Sequence, residues 1–284
     1  MSVFLSPRSV ADPRDWGDVL ELWRVAQVER VSLAGAIAPS SLPMPLLASG
    51  CFQLTVHQGF PDDPDRPPLN PAASDEDYRR RSVARLEASL EFCARLGVPR
   101  ASLDPGWAFE EAWLPGVPGR PTSRTRALDQ FKRSLDRLAT RAEQLGVLLA
   151  LSQGDPGDRS QLLTESSELS RLLTDLQIPF LGVRLDLSRL GAWARERRAL
   201  PADWLEDLAG SIVELAIAEP FQREWRLLVD EADPRHRLLK AHPAWSSLPL
   251  SLSLPGASFE RLWAVQAELE VLMEAPLLGP ALPA

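Results

Sequence analysis

The chain has 284 residues, enough for one large core, and its 45% hydrophobic and 25% charged residues match an ordinary globular domain. A formal charge of −8 and a pI near 5.1 speak against nucleic acid, whose phosphates favour a basic face. No apolar run approaches the ~18 residues of a membrane span, and residues 1–8 lack a basic segment followed by an apolar core, so neither membrane nor secretory signal is expected and the expected compartment is the cytoplasm.

The predicted elements alternate from one end to the other. A short apolar run over 3–6 is followed by a helix over 13–26, with Trp16, Val19, Leu20, Trp23 and Val25 on its apolar side. A second run covers 28–33. The third, over 51–57, alternates Phe52, Leu54 and Val56 with Gln53, Thr55 and His57. A long helix over 75–96 carries the stripe Val83, Leu86, Leu90, Cys93 and Leu96, with Ser74 as its expected cap and Asp77 completing a capping box. A fourth strand is predicted over 101–104. The unit recurs as helix 124–145, Gly146 as its stop and strand 147–152, then as helix 160–176 and strand 181–186. Strands over 212–218 and 248–254 and a helix over 259–273 complete the chain, with 227–229 competing for the seventh strand.

Eight such units in about 270 residues predict a closed parallel sheet, a single α/β domain of (β/α)8 TIM barrel type over residues 1–275 with a tail over 276–284. No GxGxxG or GxxxxGK[ST] follows a strand. The 26 prolines gather at element edges. Cys51 and Cys93 have no CxxC spacing and are expected to be small core residues. Trp16, Trp23 and Trp263 are expected in the core, while Trp107, Trp113 and Phe109 offer an aromatic platform in the loop after strand four.

Active sites of such barrels lie at the C-terminal strand ends. Those ends hold Ser32, His57, Asp104, Ser152 with Gln153, Asp186, Glu214 or Glu219, and Ser253. A triad of Ser152, His57 and Asp186 is disfavoured, because no strained G-x-S-x-G turn surrounds the serine. His236 and His242, among Asp230, Glu231 and Asp233, look like a solvated stretch and not a metal cluster.

From His57 to Gly106 the chain carries a histidine, a proline-rich loop, Asn70 and a helix ending in ARLGVPRASLDPGW. This resembles the stretch of xylose isomerase-like and endonuclease IV-like barrels that reads H-x-P, N, then A-x-x-L-G-x-x-x-x-x-H-P-G. LATRAEQLGVLLALSQG is similar to that family's helix, GV and strand ending in a metal-binding Glu. IPFLGVRLDLSRL and LPLSLSLPG resemble its sixth and eighth strands. The resemblance implies sugar isomerase or epimerase chemistry. It also implies a divalent ion held by Glu, Asp, His and Glu after strands five to eight. The matching positions are Ser152, Asp186, Ala216 and Ser253; Ser32 matches a Glu after strand two and Asp104 a His of strand four. A hydroxyl is a poor neutral ligand for a hard cation, so a degenerate metal site and no cofactor are expected.

The resulting expectation is an isomerase- or epimerase-like barrel acting on a small sugar-like or hydroxy-acid molecule by metal-independent proton transfer. His57, Asp104 and Asp186 are the candidate acids and bases. Ser32, Trp107, Ser152, Gln153, Arg184, Arg189, Glu219 and Ser253 are the candidate substrate contacts, with Arg184 or Arg189 stabilising developing negative charge. The alternative is a catalytically inactive barrel that binds a small molecule, a protein partner or a second copy of itself.

Overall fold

The computed structural model describes residues 2–9, 16–35, 37, 39–62, 66–110, 119–198, 202–218, 245, 247–254 and 258–274. Eight strands appear in order: β1 (Ser2–Leu5), β2 (Arg30–Leu33), β3 (Gln53–His57), β4 (Arg100–Leu103), β5 (Leu148–Ser152), β6 (Leu181–Asp186), β7 (Ile212–Ala218) and β8 (Pro249–Ser253). Each pairs in parallel with the next, and β1 pairs with β8 to close the barrel. The described helices are α1 (Trp16–Val25), α2 (Met44–Leu47), α3 (Glu76–Arg95), α4 (Arg124–Leu145), α5 (Ser166–Leu176), α6 (Leu187–Arg197), α7 (Ala202–Leu208) and α8 (Phe259–Glu274). None of them is long and apolar enough to cross a membrane.

The helix ends follow local chemistry. Ser123 caps α4 by accepting from the Arg126 N–H at 3.2 Å, and Gly146 closes it in the left-handed conformation at φ +66°. In α3 the cap is Asp75, accepting from the Tyr78 N–H at 2.7 Å, and not the expected Ser74. A carboxylate at the positive helix end adds charge to the hydrogen bond, which a serine hydroxyl cannot. Helix α5 begins at Ser166, later than predicted. The Asp155, Asp158 and Gln161 side chains bond the N–H groups of Gly157, Ser160 and Asp155, holding that stretch as a loop. Helices α2, α6 and α7 are not among the predicted elements.

The core forms one continuous cluster between the barrel and its helices. Trp16 and Phe60 stack with ring centroids 5.5 Å apart, and Phe92 meets Phe60 edge-on at 5.8 Å. Trp23 and Cys93 are buried as expected. Three residues expected on the buried side are not: Val25, at the end of α1, is 66% exposed. Trp263 is 43% exposed on α8, and Cys51 lies outside β3 with its thiol 2.9 Å from Ser49 Oγ. The strand begins two residues later than the apolar run, at Gln53, so Cys51 never enters the sheet. The competing run 227–229, the tail 276–284, Glu219, Trp113, His236 and His242 lie outside the described residues.

Candidate active site at the barrel mouth

In a closed barrel the alternation of strand residues sends one set outward to the helices and the other to the axis. The apolar set of β3, Phe52, Leu54 and Val56, is buried against the helix layer, and Gln53, Thr55 and His57 take the axial side. The register then fixes the axial company: Ser32 opposite Thr55, His57 opposite Ser102, Ser152 opposite Arg184, Arg184 opposite Glu214, and Ala218 opposite Ser253. Most barrels fill this space with branched apolar side chains. Here it is polar.

Midway down the axis Arg184 Nε donates to Glu214 Oε1 at 3.1 Å, with side chains 5% and 3% exposed. Ser251 Oγ donates to the same carboxylate oxygen at 2.8 Å, and Thr55 Oγ1 lies 3.4 Å from Ser251 Oγ. Arg184 therefore faces Glu214, and Asp186 takes a different partner.

Nearer the mouth, Arg189 reaches back from α6 between two carboxylates, 3.9 Å from both Asp104 Oδ1 and Asp186 Oδ2, and its Nη1 donates to the Gln153 carbonyl. Asp186 ends β6 and caps α6 at once: its Oδ1 accepts from the Ser188 N–H at 2.9 Å and the Arg189 N–H at 3.3 Å. Gln153 Oε1 in turn accepts from the Asp186 N–H at 3.2 Å. Burial pushes the Asp104 carboxyl up, but Arg189, then His57 and Arg184, outweigh it, and with Ser152 alongside they hold that carboxyl below the usual range. Arg189 shows the mirror image: burial works against its charge, and Asp104, Asp186 and Asp155 raise its pKa regardless.

Several buried polar atoms around this point make no hydrogen bond: Asp104 Oδ1, Ser152 Oγ, Gln153 Nε2, Ser102 Oγ and Glu214 Oε2. Ser152 Oγ stands near enough to favour the Asp104 charge, yet outside ordinary hydrogen-bond geometry. No base engages that hydroxyl, which leaves the disfavoured triad without its first proton transfer. Buried polar groups that lack a partner within the protein cost about 1–3 kcal/mol each, and five of them lie along this side of the axis.

One side of the rim is tied together by the chain's sole asparagine. Asn70 Oδ1 accepts from the Ala72 N–H at 3.2 Å and the Trp107 N–H at 3.1 Å, and its Nδ2 donates to the Trp107 carbonyl at 3.2 Å. Gly106, at φ +84°, passes so close that a Cβ there would lie 2.4 Å from Asn70 Oδ1. Trp107 Nε1 donates to Asp158 Oδ2 at 3.2 Å, joining the loops after β4 and β5.

Of the predicted site residues, His57, Asp104, Ser152, Gln153, Arg184, Asp186 and Arg189 come from the adjoining ends of β3 to β6. Ser32 is buried in β2, the neighbour of β3, and Ser253 is half-buried in β8, separated from the group by β7 on one side and by β1 and β2 on the other. Residues not singled out for the site are Thr55, Ser102, Ser251 and Asn70; Glu214 was only an alternative strand end, and it is a mid-strand interior residue. Among the described residues, no three His, Cys, Asp or Glu are grouped so as to hold a metal ion.

Closed parallel topology defines a (β/α)8 barrel, here with a polar C-terminal mouth. Residues 46–228 match the family described as xylose isomerase-like TIM barrel, and the chain belongs to that family. Among solved structures, a D-tagatose 3-epimerase-like protein aligns over 96% of this chain and 97% of its own, with TM-score 0.67 and 18% identity. The 3-keto-D-glucoside 4-epimerase YcjR from E. coli aligns over 96% and 98%, with TM-score 0.66 and 12% identity. An AP endonuclease, family 2, from Brucella melitensis aligns over 94% and 96%, with TM-score 0.62 and 12% identity. At these identities the likeness is one of fold. No curated protein matches the sequence.

Proposed function

We propose that this chain is a sugar isomerase- or epimerase-like barrel that receives a small sugar-like or hydroxy-acid molecule at its C-terminal mouth and moves protons there without a divalent ion. The observation that carries the reading is the group of unpaired buried polar atoms on Asp104, Ser152 and Gln153 beside a charged arginine. Together they present an anionic acceptor, a hydroxyl and an amide donor, the complement of a polyol or hydroxy acid.

The donor set does not fit a hard cation. Ser152 and Ser253 offer neutral hydroxyls and Ala216 offers nothing. The two carboxylates already share Arg189, and one oxygen of Asp186 is engaged by the α6 N-terminus. A guanidinium supplies positive charge and a fork of donors where an enolate oxygen would develop, without proton exchange of its own. Asp104, held ionised, is a weak base; its fitting role is to pair with His57, whose ordinary pKa near neutrality suits a proton carrier. Ser32, Trp107, Glu219 and Ser253 are proposed as outer substrate contacts.

A second reading has an observation in its favour. Asp186, one of the three proposed acid–base groups, is fully buried and engaged as a helix cap, which suits a barrel that binds without turnover. One experiment separates the two. Ketoses and 2-hydroxy acids are incubated with the protein in D2O containing EDTA, and deuterium incorporation next to the carbonyl is followed by NMR. Incorporation that His57→Gln abolishes supports the enzyme. Ligand binding without incorporation favours the binding barrel. Incorporation that EDTA removes and Mn2+ restores overturns the metal-free chemistry.

A further inference from the structure

The barrel's other end holds a cavity of about 450 Å³, opening between the N-terminal ends of β1, β3, β4 and β8 and the turn that joins α3 to β4. Its volume lies within the roughly 300–1,000 Å³ of small-molecule sites. The opposite end of such barrels carries the chemistry, so this chamber is separate from the mouth described above.

The lining mixes apolar and polar groups and carries one charged side chain. Phe4 and Pro249 form apolar walls, Thr55 stands at the inner end, and Gln53 and Arg100 present an amide and a guanidinium. Gln53 is axial and exposed at the start of β3, so the floor is open at that point. Arg100 is half-buried, and its Nη1 donates to the Val213 carbonyl at 3.0 Å, which fixes the side chain across the underside of the barrel. Among the described residues no carboxylate pairs with it. This contrasts with Arg30 on β2, beyond β3, which Glu270 of α8 pairs at 3.3 Å.

An arginine fixed in place, with no counter-ion among the described residues, beside an amide and in a chamber lined by both apolar and polar groups, is the complement of a planar monoanion on a compact, largely apolar body. One nitrogen is already used on Val213, which leaves part of the fork and a single positive charge. That matches a carboxylate better than a phosphate dianion, which wants several cations. We infer that the N-terminal end of this barrel is a binding site for a small monocarboxylate, held by Arg100 and Gln53.

The test uses the full chain and benzoate as the probe, with benzyl alcohol and inorganic phosphate for comparison, read by isothermal titration calorimetry. Saturable one-to-one binding of benzoate is expected, with benzyl alcohol and phosphate each weaker by about tenfold or more. Arg100→Met should weaken benzoate by a similar factor, and Arg189→Met at the mouth should leave it unchanged. Loss of the Val213 contact could unfold Arg100→Met, so Gln53→Trp is made alongside it. That change, at an exposed position, fills the chamber and keeps the charge, and it should abolish binding. No saturation with benzoate, undiminished binding in Gln53→Trp, or loss in Arg189→Met but not in folded Arg100→Met would each overturn the site.

Discussion

Arg184 and Glu214 face each other from neighbouring strands in the centre of the barrel, both side chains almost wholly out of solvent and 3.1 Å apart. Taking both ions out of water is costly, and their attraction repays it only while both are present. Arg184→Met should therefore destabilise the fold by about 3–5 kcal/mol, because it strands a buried carboxylate. The double change Arg184→Met with Glu214→Leu should recover most of that loss. Urea denaturation of the two single variants and the double variant forms the cycle; strictly additive losses would contradict the pairing.

Acid should expose the role of Asp104. Its folded-state pKa is lowered, so its contribution is complete above the unfolded Asp value near 4 and is lost as pH falls through the folded value. Asp104→Asn should consequently flatten the fall of stability in that acid window. Arg189→Met should move the fall to higher pH, since the carboxylate loses its largest charge partner. Urea midpoints between about pH 7 and about pH 2 test both; parallel curves for the wild type and Asp104→Asn would refute the assignment.

The two thiols should behave as opposites. Burial pushes Cys93 up to about 12, whereas Cys51 is exposed. Maleimide labelling of the native chain followed by mass spectrometry should mark Cys51 alone, with Cys93 labelled only in denaturant. Rapid native labelling of Cys93 would mean that α3 is not packed as described.

Asp186→Ala removes the α6 cap, worth about 1 kcal/mol, and leaves Arg189 with one carboxylate fewer. Thermal melting should show a loss of at least that size. Asp186→Asn keeps a capping oxygen and should restore most of the stability while still lacking the charge. Equal losses in both variants would place the effect on charge and not on capping.

Much of the barrel is legible from its sequence because the helix stripes and stop signals are local. Val83, Leu86, Leu90 and Cys93 recur at helical spacing, and Gly146 stops α4 where its pattern ends. Helix α6 was missed because Asp186 is both the last strand residue and the helix cap, so no loop composition separates the two. The onset of α5 was misplaced because carboxylates and an amide in residues 155–161 satisfy the backbone as a loop, although their sequence also suits a helix start.

The mouth was legible by strand end: His57, Asp104, Ser152 and Asp186 do terminate or follow their strands. The interior was not, since pairing of Arg184 with Glu214 and of Thr55 with Ser251 depends on register around a closed sheet. One signal was available. Polar residues at alternate positions of otherwise apolar strands (Arg30 and Ser32, Gln53, Thr55 and His57, Arg100 and Ser102, Ser251 and Ser253) mark an axis that is not filled with hydrocarbon.

The contact between Asn70 and Gly106 has a mechanical consequence. Through that one amide the loops after β3 and β4 are fastened together, and through Trp107 and Asp158 the loop after β5 joins them. A third of the rim is thereby a single plate. A ligand that pressed on Trp107, as proposed above, would meet the combined resistance of three loops, and this side would then select by fixed shape. Asn70→Ala would unfasten the plate, and selectivity among ligands of similar size would blur before affinity for any one of them disappeared.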